Sequence, residues 1–298
     1  MLINQCDGSI QMTVQSGNFF CFGFGYVASR LAMKIIGNGG KVIGTTRSSQ
    51  KANKINSLSE YSRGIVWKST DRIGDLPTGS NIVISVPPRD DGCPVYAAIG
   101  ETAARARARS ITYLSTTGVF GDRKGDWVTE HTKISPNTER SKKRALAEQQ
   151  WLSLGGNIVR LPGIYGPGRS AFDRLRAGTA KRIVKPGHLF SRCHVDDIVS
   201  GLLGVVNKKA QKTSIFHLCD NEPAPPQDVI VHAAKMLGVE PPPEQHFETA
   251  ELSEMARSFY SECKRVSNSI TKNALAWQPQ YPSYREGLEA ILQEEAKP

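Results

Sequence analysis

The stretch from Phe19 to Ala32 reads FFCFGFGYVASRLA. Four apolar residues, Phe19 to Phe22, suit a buried strand. Gly23-x-Gly25-x-x-Ala28 follows, and Val27 to Ile36 has helical spacing. A strand, a glycine turn and a helix in that order open a dinucleotide-binding βαβ unit. Gly23 permits the tight turn, Gly25 lets a pyrophosphate approach the backbone, and Ala28 allows the helix to lie close on the strand. The helix N-terminus then offers N–H groups and the positive end of its dipole to the phosphates. The plain alternative is a glycine-rich turn without a ligand; the apolar run Lys41 to Thr45 that follows favours the nucleotide reading.

Outward from this unit, short β-branched runs alternate with helical ones. Gly64 to Trp67, Asn81 to Val86, Ser110 to Ser115 and Asn157 to Leu161 read as the third to sixth strands. Val95 to Arg109 and Glu139 to Leu154 have helical composition. The alternation predicts an α/β fold, a doubly wound parallel sheet covered on both faces. After Pro162 the rhythm loosens. Helices are expected at Asp196 to Val206, with Asp196 or Asp197 as N-cap, at Gln227 to Leu237 and at Ser283 to Glu295, and a strand at Ser214 to Leu218. The organisation expected is a tail over 1–18, a dinucleotide-binding domain over 19–165 completed by 194–220, and a smaller substrate lobe from 166–193 and 221–298.

Composition bounds the function. Of 298 residues, 39% are hydrophobic and 22% charged, which supports a core and excludes global disorder. No run approaches the ~20 apolar residues of a membrane span, and the N-terminus lacks a basic start before an apolar run. A cytoplasmic protein with no membrane partner is expected. The six cysteines stand singly, without CxxC, so no metal site is expected. They read as buried reduced thiols, with Cys21 and Cys219 inside strands. Lys and Arg exceed Asp and Glu by 38 to 28, and the net +10 favours anionic partners.

The second strand chooses the cofactor. Proteins that prefer NAD carry an acid near its end, where it binds the ribose hydroxyls. Here the strand ends Thr45-Thr46-Arg47-Ser48. Arg47 can pair with a 2′-phosphate and the hydroxyls of Thr46 and Ser48 can donate to it. NADP is therefore expected ahead of NAD, with a solvated surface arginine as the plain alternative.

Further segments continue in order: ISVPP at Ile84 to Pro88, STTGVFGD at Ser115 to Asp122, RLPGIYGPGR at Arg160 to Arg169, RCHVDDIVSGLL at Arg192 to Leu203, KRVSN at Lys264 to Asn268 and YPSYREGL at Tyr281 to Leu288. From Phe19 to Leu288 the chain resembles the short-chain dehydrogenase/reductase superfamily, in its extended, sugar-nucleotide epimerase/dehydratase-like branch. The resemblance implies an NAD(P)-binding Rossmann domain with a small C-terminal lobe. It places Tyr26, Val86 and Pro87 beside the cofactor, and Thr116 at the Ser/Thr position that orients the substrate. It sets Thr117, Tyr165 and His194 around the substrate.

One motif departs from the family. In such enzymes the Tyr of YxxxK passes a proton, and the Lys lowers its pKa and holds the nicotinamide ribose. Anchored on Ala147-Glu148, the segment ERSKKRALAE puts Arg140 at the Tyr position and Arg144 at the Lys position. An arginine is a poor proton donor at neutral pH, but it binds phosphate or carboxylate and stabilises an oxyanion. Tyr165 is the nearest substitute for the proton relay in the family's topology. The plain account of the segment is a solvated helix face with Glu139–Lys143 and Arg144–Glu148 pairs. For Arg105, Arg107 and Arg109, a helix C-terminus is the expected setting.

Three functions follow. The first is an NAD(P)-dependent epimerase/dehydratase-like oxidoreductase acting on a nucleotide-sugar or similar carbonyl or hydroxyl substrate, a phosphorylated or nucleotide-linked small molecule. The second is a catalytically inactive NADP-binding sensor or scaffold. The third, ranked last because no aromatic-basic interleaving is visible, is a nucleic-acid binder. A homodimer through the helices at 95–109 and 139–154 is an accompanying expectation.

Overall fold

Parallel strands form the centre of the computed structural model, which describes residues 17–68, 76, 78–99, 108–207 and 215–297. Among these residues the main sheet has seven strands: β1 (Asn18–Phe22), β2 (Lys41–Thr46), β3 (Ser62–Val66), β4 (Ser80–Ile84), β5 (Ala108–Thr116), β6 (Asn157–Leu161) and β7 (Ile215–His217). Their spatial order is β7-β6-β5-β4-β1-β2-β3. All pairs are parallel. The order reverses between β1 and β4, where Phe20 of β1 stands level with both Ile43 and Ile82. In open α/β sheets ligands bind at such a switch point, outside the carboxyl ends of the strands.

The helices are α1 (Tyr26–Gly37), α2 (Ser49–Asn56), α3 (Pro94–Ile99), α4 (Glu139–Ser153), α5 (Ala171–Arg176), α6 (Val195–Asn207), α7 (Pro226–Leu237), α8 (Glu254–Phe259), α9 (Ser269–Leu275) and α10 (Tyr284–Glu295). The continuous apolar run of β1 is explained by burial on both faces. Strand alternation sends Phe19 and Cys21 into one layer with Leu31, Ile35 and Ile198 from α1 and α6. It sends Phe20 and Phe22 into the other with Ile82, Tyr113 and Trp151. A separate apolar cluster lies in the C-terminal region, where Phe172, Ile230, Tyr284 and Leu288 join α5, α7 and α10.

Several boundaries differ from the sequence reading. The helix expected over 95–109 is described only as Pro94–Ile99, and Arg109 lies in β5, so it does not complement a helix dipole. Its alanine-rich surroundings favour a helix by propensity, but the central strand claims it. Arg105 and Arg107 lie outside the described residues, as do Cys6 and residues 1–16 of the expected tail. The first turn of α6 begins at Val195, so neither Asp196 nor Asp197 is its N-cap. Asp196 instead pairs with Arg30 at 2.6 Å, and buried Asp197 accepts from the N–H groups of Gln280 and Tyr281. Cys219 follows β7 rather than sitting within it, although it is buried. No helix among the described residues is long and apolar enough to cross a membrane.

Candidate active site

Gly23 leaves β1 with φ +85°, a conformation that L side chains rarely adopt. Its N–H donates to Thr45 Oγ1 at 2.9 Å, tying the turn to β2. Ser85, just past β4, donates through Oγ to the carbonyl of Gly23 at 2.9 Å. A Cβ on Gly23 would stand 2.8 Å from that Oγ and 3.3 Å from Val86, so the turn has no room for a side chain. Gly23→Ala is expected to lower stability by about 1–2 kcal/mol. Urea unfolding measures it, and an unchanged midpoint would mean that the turn relaxes freely.

Gly25 is the N-cap of α1, and a Cβ there would meet nothing within 4 Å. Its open side is a space for a ligand. No side chain caps α1 and no acidic residue occupies its first turn. The first N–H groups of the helix are therefore left for an anion. Ala28 is buried on the sheet. Thr46 ends β2, Arg47 is exposed, and Ser48 caps α2 by accepting from the N–H of Lys51. Val86 and exposed Pro87 follow β4 beside the turn.

Among the described residues a cavity of about 490 Å³ runs from Gly25 and Tyr26 past Ser85 to Thr116, Thr117 and the first turns of α4. It brings together Tyr26, Thr116, Thr117, Arg140 and Arg144. Thr116 Oγ1 accepts from the N–H of Gly118 at 3.2 Å, which leaves the hydroxyl hydrogen for a substrate oxygen. Tyr26 donates its hydroxyl to the Pro167 carbonyl at 3.0 Å. Burial, working against the nearby Arg30 and Arg169 charges, pushes its pKa up to about 12.

The two arginines of α4 behave differently. Arg144 turns back over β5: its Nη1 donates to Tyr113 Oη at 2.9 Å and to the Leu114 carbonyl at 3.0 Å. Its Nε is buried without a hydrogen-bond partner. Arg140 is exposed on the cavity wall and makes no hydrogen bond or ion pair among the described residues. The surface pairs expected on this helix are not formed. Glu139 pairs with Lys142, and Lys143 pairs with Asp90. Glu148 turns inward to Arg160 rather than to Arg144.

Tyr165 and His194 do not line this cavity. Tyr165 donates to the Ser283 carbonyl at 3.3 Å and stacks edge-on against His194. Desolvation raises its pKa, and its hydroxyl is turned to Ser283 and away from the cavity lining. His194 is buried between Tyr165 and Tyr281. The cavity instead recruits Ser141, Arg169, Phe190, Phe259, Glu262 and Lys264. Arg169 and Lys264 close and open two of the quoted segments, whereas Phe190, Phe259 and Glu262 carry no local motif. Ser141 had a signal, since Thr138 and Ser141 form a capping box at the start of α4.

No family model matches the chain. It is 32% identical, over 49% of its own length, to a 3-diazoavenalumate denitrifying reductase from a Streptomyces species, and the match spans 51% of that relative. A solved UDP-glucuronic acid 4-epimerase from Bacillus cereus, in complex with NAD, superposes with a TM-score of 0.72 at 15% identity, over 94% of this chain and 100% of that one. A functionally unknown conserved protein from Silicibacter pomeroyi DSS superposes with a TM-score of 0.86 at 40% identity, over 94% of this chain and 100% of that one. The chain therefore belongs to the family of the Silicibacter pomeroyi protein, and its fold is that of the epimerase/dehydratase-like, extended short-chain dehydrogenase/reductases.

Proposed function

We propose that the protein is an NAD(P)-dependent oxidoreductase whose substrate is a small molecule with a reacting carbonyl or hydroxyl group. The observation that carries this reading is the single cavity joining the uncapped N-terminus of α1 to Thr116 at the carboxyl end of β5. The Streptomyces relative is a reductase by name, and the Bacillus cereus neighbour was solved with NAD, which agrees with it.

The open face of Gly25 and the free N–H groups of α1 fit a pyrophosphate, with Gly23 and Ala28 shaping the turn. Thr46, Arg47 and Ser48 would hold a 2′-phosphate, and Val86 and Pro87 would flank the adenosine side. The bound nicotinamide supplies or accepts a hydride. Thr116 donates its free hydroxyl hydrogen to the substrate oxygen, with Thr117 beside it. Arg144, fixed on Tyr113 and Leu114, places a positive charge beside the cavity. Arg140 supplies positive charge without a transferable proton. The proton of any carbonyl reduction then comes from solvent.

The test is a titration of the purified protein with NADPH and NADH, followed by nicotinamide fluorescence. Arg47→Ala is expected to weaken NADPH about tenfold and leave NADH unchanged, since only NADPH carries the extra phosphate. Equal effects on both would overturn the 2′-phosphate role. Failure of the wild type to bind either would overturn the oxidoreductase reading and leave a Rossmann scaffold.

A further inference from the structure

The Phe259 ring and the Arg140 guanidinium stand on the walls of one cleft, and neither is needed to hold a dinucleotide. The cleft is lined by four basic side chains and one acidic one among the described residues. Three of the cations are engaged. Lys264 Nζ donates to the Glu262 carboxylate and, at 2.8 Å, to the Gly121 carbonyl. Arg144 is held on β5. Arg169 lies over the Tyr26 ring, 5.7 Å from its centroid. Arg140 alone of the four has no partner among the described residues, and its exposed guanidinium is free to take an anion.

The same cleft also carries apolar side chains, set among Ser191, Ser258 and Glu262. Phe259, at the end of α8, is 50% exposed beside the cleft. Phe190 packs against Gly163, where a Cβ would come within 2.6 Å of the ring. Leu189 and Ile164 continue the surface. A half-open phenyl ring on a concave wall gains by being covered. A cavity of about 490 Å³ holds one drug-sized ligand. Its Gly25 end is committed to the dinucleotide if the proposed function is right, and the inference rests on that reading for this allotment of space.

We propose that the substrate is a small aromatic carboxylic acid, its carboxylate on Arg140 and its ring against Phe259 and Phe190, and not a nucleotide-linked sugar. An acid of this kind pairs with the Arg140 guanidinium and covers the exposed Phe259 ring at once.

Calorimetric titration of the full chain, with and without saturating NADPH, tests this. The probes are benzoate, 3-phenylpropionate and 5-phenylpentanoate, the amide of the tightest of them, and UDP-glucose. At least one acid is expected to bind about tenfold more tightly than its amide and than UDP-glucose. Arg140→Gln, a change at an exposed position, should abolish the advantage of acid over amide and leave the amide's affinity unchanged. Phe259→Ala should weaken acid and amide alike, by about tenfold. Equal affinity of acid and amide, an unaltered acid affinity in Arg140→Gln, or tighter binding of UDP-glucose would each overturn the proposal. Acid binding without NADPH binding would overturn the cofactor reading alone, and NADPH binding without acid binding would overturn this proposal alone.

Discussion

Glu148→Leu is expected to destabilise the protein by about 3–5 kcal/mol, the cost of leaving a buried arginine without its counter-charge. The side chains of Glu148 and Arg160 are only 2% and 3% exposed and meet at 2.7 Å. Arg160 Nε approaches the same carboxylate at 3.1 Å, and Ser115 Oγ donates to it. The Arg160 guanidinium also lies 4.8 Å from the centroid of the Phe120 ring. This cluster joins α4, β5 and β6 directly under the cavity floor, because Ser115 adjoins Thr116 and Phe120 closes the turn after it. The double variant Glu148→Leu/Arg160→Met removes both charges and should recover much of the loss, since an apolar pair of similar volume needs no compensation. Urea unfolding of the two variants and the wild type decides. A loss below about 1 kcal/mol for the single change would mean that water reaches Arg160 in the folded protein.

That pair also shows where sequence reasoning stops. Spacing of four residues on a helix makes Arg144 and Glu148 neighbours, and on an exposed face they would pair. The face is not exposed at Glu148. Burial turns its carboxylate toward β6, twelve residues further along the chain, and frees Arg144 to reach β5. Local periodicity carries no information about which side of a helix meets the sheet when the charged residues lie on the meeting side. The fold was far more legible. Asn157 to Leu161 is a strand over the residues read from the sequence. β1 extends the expected run by Asn18 alone, because an apolar run bounded by glycines and covered on both faces has few other solutions. The glycine loop was legible for a similar reason: the positive φ of Gly23, with no room for a side chain, is a demand that few other residues meet. The distal wall was not. Phe259, Glu262 and Lys264 reach the cleft from more than a hundred residues past Thr116, on segments without periodicity. Tyr165 and His194 carry the family's order but point into the packing of the C-terminal region, where Gly287 gives the Tyr165 ring its space.

Three of the histidines so packed should make the protein acid-labile. His188, His194 and His217 are buried, and desolvation, the leading cause for each, holds their pKa values down to about 4 from 6.5. Each keeps its neutral form against an aromatic ring: His188 on Tyr260, His194 on Tyr281, His217 on Phe120. In the unfolded chain the same imidazoles take up protons near pH 6.5. Between the two values the unfolded state binds more protons, so stability rises with pH there. The contribution is complete above about pH 6.5 and is lost as pH falls toward 4, at roughly 3 kcal/mol for a shift of that size on one imidazole. Asp197 works in the opposite sense. Burial raises its carboxyl to about 6 despite the two N–H groups it accepts from, so its protonation favours the fold as pH falls. Burial raises Asp220 as well. The two carboxyls offset part of the effect of the three imidazoles, and the urea midpoint is expected to fall between pH 6.5 and 4.5. His188, outside the cavity lining, feels Lys185 and Asp122 only as weaker influences than its burial, and His188→Asn should remove one share of that slope. A midpoint flat across this range would show that the imidazoles gain protons in the folded chain at little cost, and would overturn this prediction.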